Sequence, residues 1–319
     1  MSADGVGAVD VLVVGDANPD LLLTGDTVPR FGQAEQLLDT ADLLLGGSAS
    51  IVACGLARLG VRTALAAVVG SDRFGSFVLD ELRAAGVDVS AVSVDDAVPT
   101  GLSVVLSEPH DRAILTLPGT IPSLTAEAVQ EAVERLRPRH VHVASYFLQP
   151  GLAGSLPALL SWLAEHGITV SLDTNWDPSE RWSGLEDVLR YIDVFLPNRE
   201  EALAIAAAVT GSVPAGLEEA ASELSKLGCR VVVKAGAEGG IAFDGGARVA
   251  AAPGLRVEVV DTTGAGDSFD AGYLAALAVG VADEQERLRW AATAGSLSVR
   301  GRGGTAAQAT RDELLLPIP

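Results

Sequence analysis

The residues of this chain best suited to chemistry run from Asp261 to Phe269, Asp-Thr-Thr-Gly-Ala-Gly-Asp-Ser-Phe, where a small flexible turn carries an acid into an apolar segment. Gly264, Ala265 and Gly266 let the backbone come close to a ligand, and the run from Asp267 to Gly280 has the Ala, Leu and Tyr content of a buried or half-buried helix. Free N–H groups at such a helix start, with about half a positive charge from the dipole, seat a phosphate or a developing oxyanion. An acid in that seat has two readings. Asp267 is a helix cap, comfortable among N–H donors. Alternatively it is a base that takes a proton from an acceptor hydroxyl while the neighbouring amides of Gly264, Ala265 and Gly266 hold a transferring phosphoryl group.

Other groups have suitable types at suitable places. Asn18 and Asp20 follow an apolar strand, at the edge where open α/β sheets hold ligands, and a carboxylate there either accepts hydroxyls from a polyol or closes an Asx turn. Asn198 and Glu201 sit at a helix start, where an acid three residues after an Asn answers the dipole or holds metal-bound water near phosphates. Familiar signatures fail: a dinucleotide fingerprint would need Gly where Phe269 stands, no Walker A loop occurs, and Gly46-Gly47-Ser48-Ala49-Ser50 ends in Ser rather than the Gly of a nucleophile elbow.

The elements that must position these residues are legible as a pattern. Short apolar runs alternate with helical stretches, predicting a mostly parallel sheet covered by helices. Strands are predicted at 9–14, 62–69, 87–94, 141–144, 168–172, 194–196 and 231–233. Helices are predicted at 48–59, 74–85, 126–136, 152–165, 199–208, 216–227, 265–278 and 283–299. Segments 20–23, 36–40, 101–106 and 113–117 look instead like short antiparallel strands, either a lid over one end of the main body or an ordinary edge hairpin. The 319 residues, 48% hydrophobic and 20% charged, can bury a large core. A net charge of −20, from 22 basic and 42 acidic residues, disfavours nucleic acid or an anionic membrane as partner. Only two lysines occur, Lys226 and Lys234, so either one stands out. Cys54 and Cys229 are too few for a zinc site or a CxxC pair, the N-terminus lacks a basic signal region, and no apolar stretch nears the roughly 20 residues of a membrane span. A cytoplasmic location is expected.

The nonapeptide Asp261 to Phe269 resembles, at all nine positions, the C-terminal signature of the ribokinase-like (PfkB) carbohydrate kinases. Four other segments resemble that family's motifs in order and spacing: Gly15 to Asp20, Gly46-Gly47, Asn198-Arg199-Glu200-Glu201, and Lys234 to Gly240. The resemblance implies a single ribokinase-like domain over 1–319, a three-layer α/β sandwich with a small β lid contributed by about 20–45 and 97–120. It implies ATP and Mg2+ as cofactors, with Asp267 as catalytic base, Asn18, Asp20, Gly46 and Gly47 on the acceptor, and Asn198, Lys234, Gly236, Gly239 and Thr262 on the nucleotide. Glu201 would order magnesium through water. Asp261, Ser298, Gly301 and Gly303 resemble the family's monovalent-cation site, for K+, and a homodimer through the lid is implied as well.

Two departures bear on the acceptor. Where the family's first signature has a sugar-binding Asn, this chain has Ile51, whose side chain cannot make those hydrogen bonds and suggests an apolar or aromatic acceptor face. Asp173 to Asp177 resembles a segment of family members acting on ketoses and keto-deoxy acids, but Asp177 stands in place of Arg, which weakens an acidic sugar. Asn175 and Trp176 are expected to line the acceptor pocket, with Ser145 and Tyr146 beside it. His142 is expected to be a satisfied core histidine, and Arg112, in the lid, either reaches a substrate oxygen or is solvated. The expected activity is ATP-dependent phosphorylation of a hydroxyl, expected to be primary, on a sugar or polyol. The alternatives are a nucleoside kinase of the same fold and a non-catalytic, regulatory sugar-binding member.

Overall fold

A computed structural model describes residues 8–33, 35–108 and 112–316. Nine strands form the large sheet, numbered with the rest along the chain: β1 (Val11–Val14), β4 (Thr63–Gly70), β5 (Val92–Asp95), β8 (His140–Val143), β9 (Thr169–Leu172), β10 (Val194–Phe195), β11 (Arg230–Lys234), β12 (Gly240–Asp244) and β13 (Ala247–Ala252). Their order is β13-β12-β11-β10-β9-β8-β1-β4-β5, parallel from β11 to β5 and antiparallel in the β11-β12-β13 meander.

Strand alternation divides the core between two helical layers. Leu12 and Val14 of β1, with Val231 and Val233 of β11, face one cluster, while Val11, Val13 and Val232 face the other. The first layer is α3 (Ala126–Leu136), α4 (Pro150–Ala153), α5 (Leu156–Glu165), α6 (Glu186–Leu189), α7 (Arg199–Thr210) and α8 (Leu217–Ser225). The second is α1 (Ser48–Arg58), α2 (Arg73–Ala84), α9 (Ala265–Ala278), α10 (Glu284–Ser298) and α11 (Arg311–Leu315). The result is the expected three-layer α/β sandwich. The helix expected at 152–165 is two pieces, because Pro157 in the first turn of α5 fits a fresh start and not a helix interior.

The second sheet comprises β2 (Asn18–Gly25), β3 (Leu38–Gly46), β6 (Leu102–Ser107) and β7 (Arg112–Leu117), in the order β3-β2-β6-β7. Its two outer pairings are antiparallel, but β2 and β6 run parallel, so the antiparallel expectation holds only for the hairpins. Two hairpins from separate passages of the chain meet here edge to edge, which sequence-local turn signals cannot orient. No helix among the described residues is long and apolar enough to cross a membrane.

Candidate active site

Residues just past the carboxyl ends of β1, β9, β10 and β11 converge with the starts of α1, α7 and α9. Open α/β sheets place ligands at this edge. A cavity of about 430 Å³ lies there, bounded by Asp173, Asn175, Asn198, Glu201, Lys234 and the turn from Gly264 to Asp267. A second, largely apolar hollow of about 580 Å³ shares Lys234, Gly236, Thr262, Ala265 and Gly266 with it and continues past Gly239 to Leu255, Val257, Phe269 and Val299.

The turn before α9 settles how Asp267 is used locally. Gly264 is the N-cap at φ 70, a left-handed conformation that suits glycine, and no side chain caps this helix. The Asp267 carboxylate turns away from the helix amides, and its Oδ1 accepts a hydrogen bond from the Ser48 hydroxyl of α1. Asp267 is therefore not a cap. Burial pushes its carboxyl up to about 7, the charges of Asp173 and Asp16 add to that, and the Ser48 hydroxyl and Lys234 ammonium oppose it. The amide of Ala265 already donates to Thr262 O at 3.3 Å. The amides of Gly266 and Asp267, in the first turn, lack helical acceptors.

Beneath the turn, Lys234 reaches Asp173 Oδ2 at 2.6 Å and Asp270 Oδ2 at 3.1 Å, with both carboxylates buried. Burial opposes the ammonium, but Asp173, Asp270 and Glu201 outweigh it and hold Lys234 charged. Burial keeps Asp270 protonated well above the usual carboxylate range, while Lys234 and the Asp270 hydrogen bond hold Asp173 below it. Lys234, expected on the nucleotide, thus spends its ammonium on two acids while its stem lines both hollows. Asp173 and Asp270 were assigned no role from the sequence. Asp270 had a usable signal, since residues three apart on a helix share a face with Asp267.

At α7 the local reading is the one observed: Asn198 Oδ1 accepts from Glu201 N and Glu201 Oε2 accepts from Asn198 N, both at 2.9 Å, in a reciprocal capping box. Glu201 still lines the cavity, and burial with the nearby Asp173 charge pushes it up to about 7.

The acceptor-side residues come from β1, β2 and β3. Asp16 accepts from the amides of Ser48 (3.1 Å) and Ala49 (3.0 Å), capping α1 from 32 residues away. Asn18 Nδ2 donates to Asp20 Oδ1 at 3.2 Å. A Cβ on Gly46 would stand 2.1 Å from that same oxygen, so the carboxylate occupies the space only glycine leaves. Burial and the Asp16 charge push Asp20 up to about 7. Asn175, at φ 54, lines the cavity and donates to the Ser48 hydroxyl at 3.1 Å. Ser48 joins these residues although sequence reasoning assigned it no role.

Two expected acceptor residues, Ile51 and Trp176, pack elsewhere, and Asn18, Asp20, Gly46 and Gly47 also stand outside this cavity's lining. Ile51 is buried against the glycine turns at Gly264 and Gly304 and does not line the cavity. Trp176 is 51% exposed and packs edge-on to Trp182 at 5.0 Å, also outside the cavity lining. Asp177 accepts from Ser179 N, Arg181 N and Trp182 N within 3.0 Å and so folds its own loop. His142 is buried against Ser171 Oγ at 2.8 Å and is pushed down to about 4 by burial, which makes it a neutral core histidine, but its Nε2 is buried without a hydrogen-bond partner among the described residues, so the satisfied histidine expected is satisfied at Nδ1 alone. Tyr146 donates its hydroxyl to Gly184 O at 3.2 Å, and Ser145 N to Asn175 Oδ1 at 3.3 Å. Arg112, from the small sheet, donates to Thr263 Oγ1 at 3.1 Å. Asp261 accepts from Thr263 N (2.9 Å) and Gly303 N (2.8 Å), joining the loops expected to hold a monovalent cation, while Ser298 Oγ turns back to Gly295 O at 2.9 Å. Gly301 lies at Ala307.

The chain matches known proteins along nearly its whole length. The model of the pfkB family carbohydrate kinases matches residues 9–311. Ribokinase of Bacillus subtilis (strain 168) is 26% identical over 307 residues, 96% of this chain and 98% of its own. The 2-dehydro-3-deoxygluconokinase of the same organism is 32% identical over 287 residues, 85% of each chain. Among solved structures, Arabidopsis thaliana ribokinase complexed with ribose and ATP is similar at a TM-score of 0.81 and 26% identity, over 97% of this chain and 98% of that one. With its fold, its signature turn and these relatives in agreement, the chain belongs to the pfkB family of carbohydrate kinases and is a phosphotransferase of the ribokinase fold.

Proposed function

We propose that the protein transfers the γ-phosphoryl group of ATP to a primary hydroxyl of a sugar or polyol, with Asp267 as general base. One observation carries the reading: Asp267 is freed from capping, sits beside amides that have no helical acceptors, and lines a cavity that it shares with Asn175 and Lys234 and that adjoins the apolar hollow. The acceptor oxygen attacks the γ-phosphorus, its proton passes to Asp267, and the bond from that phosphorus to the bridging oxygen of the leaving ADP breaks. Amides of Gly266 and Asp267 meet the charge on the transferring group. Asn18 and Asp20, with Gly46 and Gly47 giving close approach, orient the sugar, and Asn175 completes the acceptor wall. The adenine lies in the apolar hollow beside Gly236, Gly239 and Thr262.

Glu201 fits a magnesium ion or its bound water, because it lines the cavity with one carboxylate oxygen, Oε2, held by Asn198 N and the other left as a hard oxygen donor. When bound, magnesium would neutralise charge on the phosphates. Asp261 and the 301–304 loop fit a K+ ion, with the Ser298 hydroxyl uninvolved. The small sheet serves as lid, with Arg112 tying it to the signature turn, and its exposed Leu115 and Leu117, on one face of β7, form the homodimer surface. A sugar or polyol is favoured over a nucleoside because the polar pair Asn18 and Asp20 stands at Gly46, whereas Ile51 is packed against Gly264 and Gly304 and Trp176 against Trp182. Intact Asp267, Gly264 and Gly266 argue against a non-catalytic sugar-binding member. A coupled ADP-release screen over sugars, polyols, keto-deoxy acids and nucleosides tests the proposal. Turnover with a sugar or polyol supports it, and turnover with nucleosides alone, or with no acceptor, overturns it.

A further inference from the structure

Asp267 does not stand alone. A chain of hydrogen bonds leads to it from a backbone amide: Ser145 N donates to Asn175 Oδ1 at 3.3 Å, Asn175 Nδ2 donates to Ser48 Oγ at 3.1 Å, and Ser48 Oγ donates to Asp267 Oδ1. We infer that Ser48 and Asn175 are positioning residues for phosphoryl transfer, holding Oδ1 of Asp267 so that Oδ2 is the oxygen that receives the acceptor proton.

The chain can run in one direction only. An amide N–H cannot accept, so Asn175 must present its oxygen to Ser145 and its NH2 to Ser48. That NH2 fills a lone pair of the Ser48 oxygen, and the Ser48 hydrogen is left for Asp267. Every link is anchored. Ser48 is buried at the first turn of α1, whose amides at 48 and 49 are fixed by both oxygens of Asp16. Asn175 holds its loop by donating its own amide to Asp173 Oδ1 at 3.3 Å. Water cannot readily replace a hydroxyl buried in this way. The arrangement follows the logic of a base oriented by a third group. Asp267 is faced by Asp16 from the end of β1, Asp173 from the end of β9, Lys234 from β11 and Asp270 from its own helix. None of these changes when the serine hydroxyl is removed.

This inference rests on Asp267 being the base, so the test separates the two. Ser48→Ala, Ser48→Thr, Asn175→Asp and Asp267→Asn are assayed with Mg-ATP and the acceptor found in the screen, over pH 5 to 9. The expected result for Ser48→Ala is a kcat lower by on the order of 10- to 100-fold, the cost of a misplaced group, with the acceptor KM little changed. Its acid limb moves to higher pH, since the lost donor had favoured the carboxylate form. Ser48→Thr keeps both at the wild-type values, and Asn175→Asp, which cannot donate to Ser48 when ionised, lowers kcat too, with a rise in acceptor KM added because Asn175 also lines the cavity. A merely structural serine would not move the pH limb. If Asp267→Asn is inactive while Ser48→Ala and Asn175→Asp keep the wild-type kcat and limb, the positioning role fails and the base stands. If Asp267→Asn turns over normally, the base assignment itself fails. Should Ser48→Ala not fold, Ser48→Cys, whose thiol is a weaker donor of similar size, is read in its place, and an unchanged kcat and limb there overturn the positioning role.

Discussion

The starts of α7 and α9 place an acid at the same position, three residues after the N-cap, and use it in opposite ways. At α7 the cap is Asn198, and Glu201 folds back onto the cap amide, closing a capping box. At α9 the cap is Gly264, which offers no side chain, and the shorter Asp267 turns outward to Ser48. The helix dipole favours an acid at either place. What separates the two acids is whether the carboxylate is drawn into capping, and at α9 the Ser48 hydroxyl takes it instead of the helix start. A glycine cap leaves the first-turn amides without a side-chain partner and the carboxylate clear of the cap, as the proposed role of Asp267 requires.

The largest expected effect breaks the α9 side of this comparison. Asp267→Asn should lower kcat by roughly 10² to 10⁴, the usual reach of a general base, and leave nucleotide affinity nearly intact by calorimetric titration. Gly46→Ala comes next. Its Cβ displaces the Asp20 carboxylate, and the acceptor KM should rise on the order of 10- to 100-fold, as when hydrogen bonds to a charged group are lost, with the ATP KM unchanged in steady-state kinetics. Acidity then distinguishes the reactive acid directly. The base must be ionised, so with a carboxyl near 7 the kcat of the wild type should fall as pH drops below about 7. The same raised values act on folding in the opposite sense. Asp20, Glu201 and Asp267 bind protons more tightly folded than unfolded, so their contribution is full below the ordinary carboxylate range and is lost as pH rises through about 7. Thermal unfolding of the ligand-free protein should therefore occur at higher temperature at pH 6 than at pH 8, by a margin that shrinks in Asp267→Asn. The smallest effect breaks the α7 side. Asn198→Ala should cost about 1 kcal/mol of stability, seen as a melting shift of about 2 °C, because a cap is lost.

Spacing made much of this site legible. The glycine turn, Asn18 with Asp20, Gly46-Gly47, and Asn198 with Glu201 are local groupings, and local groupings survive in a sequence. The layers were legible too, because strand alternation and helical periodicity are local. Side-chain destination was not. Ser48 meets Asp267 across 219 positions, and nothing near either residue announces the other. Lys234 stands in a segment that resembles a nucleotide loop, yet its flexible stem carries the ammonium to Asp173 and Asp270. Asp177, which stood out against the family pattern, is held by the amides of Ser179, Arg181 and Trp182, so its departure from Arg is a matter of loop folding. The parallel β2-β6 pairing was hidden for the same reason as the Ser48 contact, since both join distant passages of chain.

The packing of α1 on α9 has a consequence for how the protein is made. Gly55 of α1 brings the two helices so close that a Cβ there would stand 2.7 Å from Ala271 Cβ. On the ribosome α1 emerges more than two hundred residues before α9, so its apolar face and the acceptor half of the site wait without a cover while most of the chain is synthesised. Asp267, the proposed base, arrives with the helix that completes the core. The core and the proposed site are therefore completed by the same helix, and the interval before α9 emerges is when the apolar face of α1 has most need of shielding.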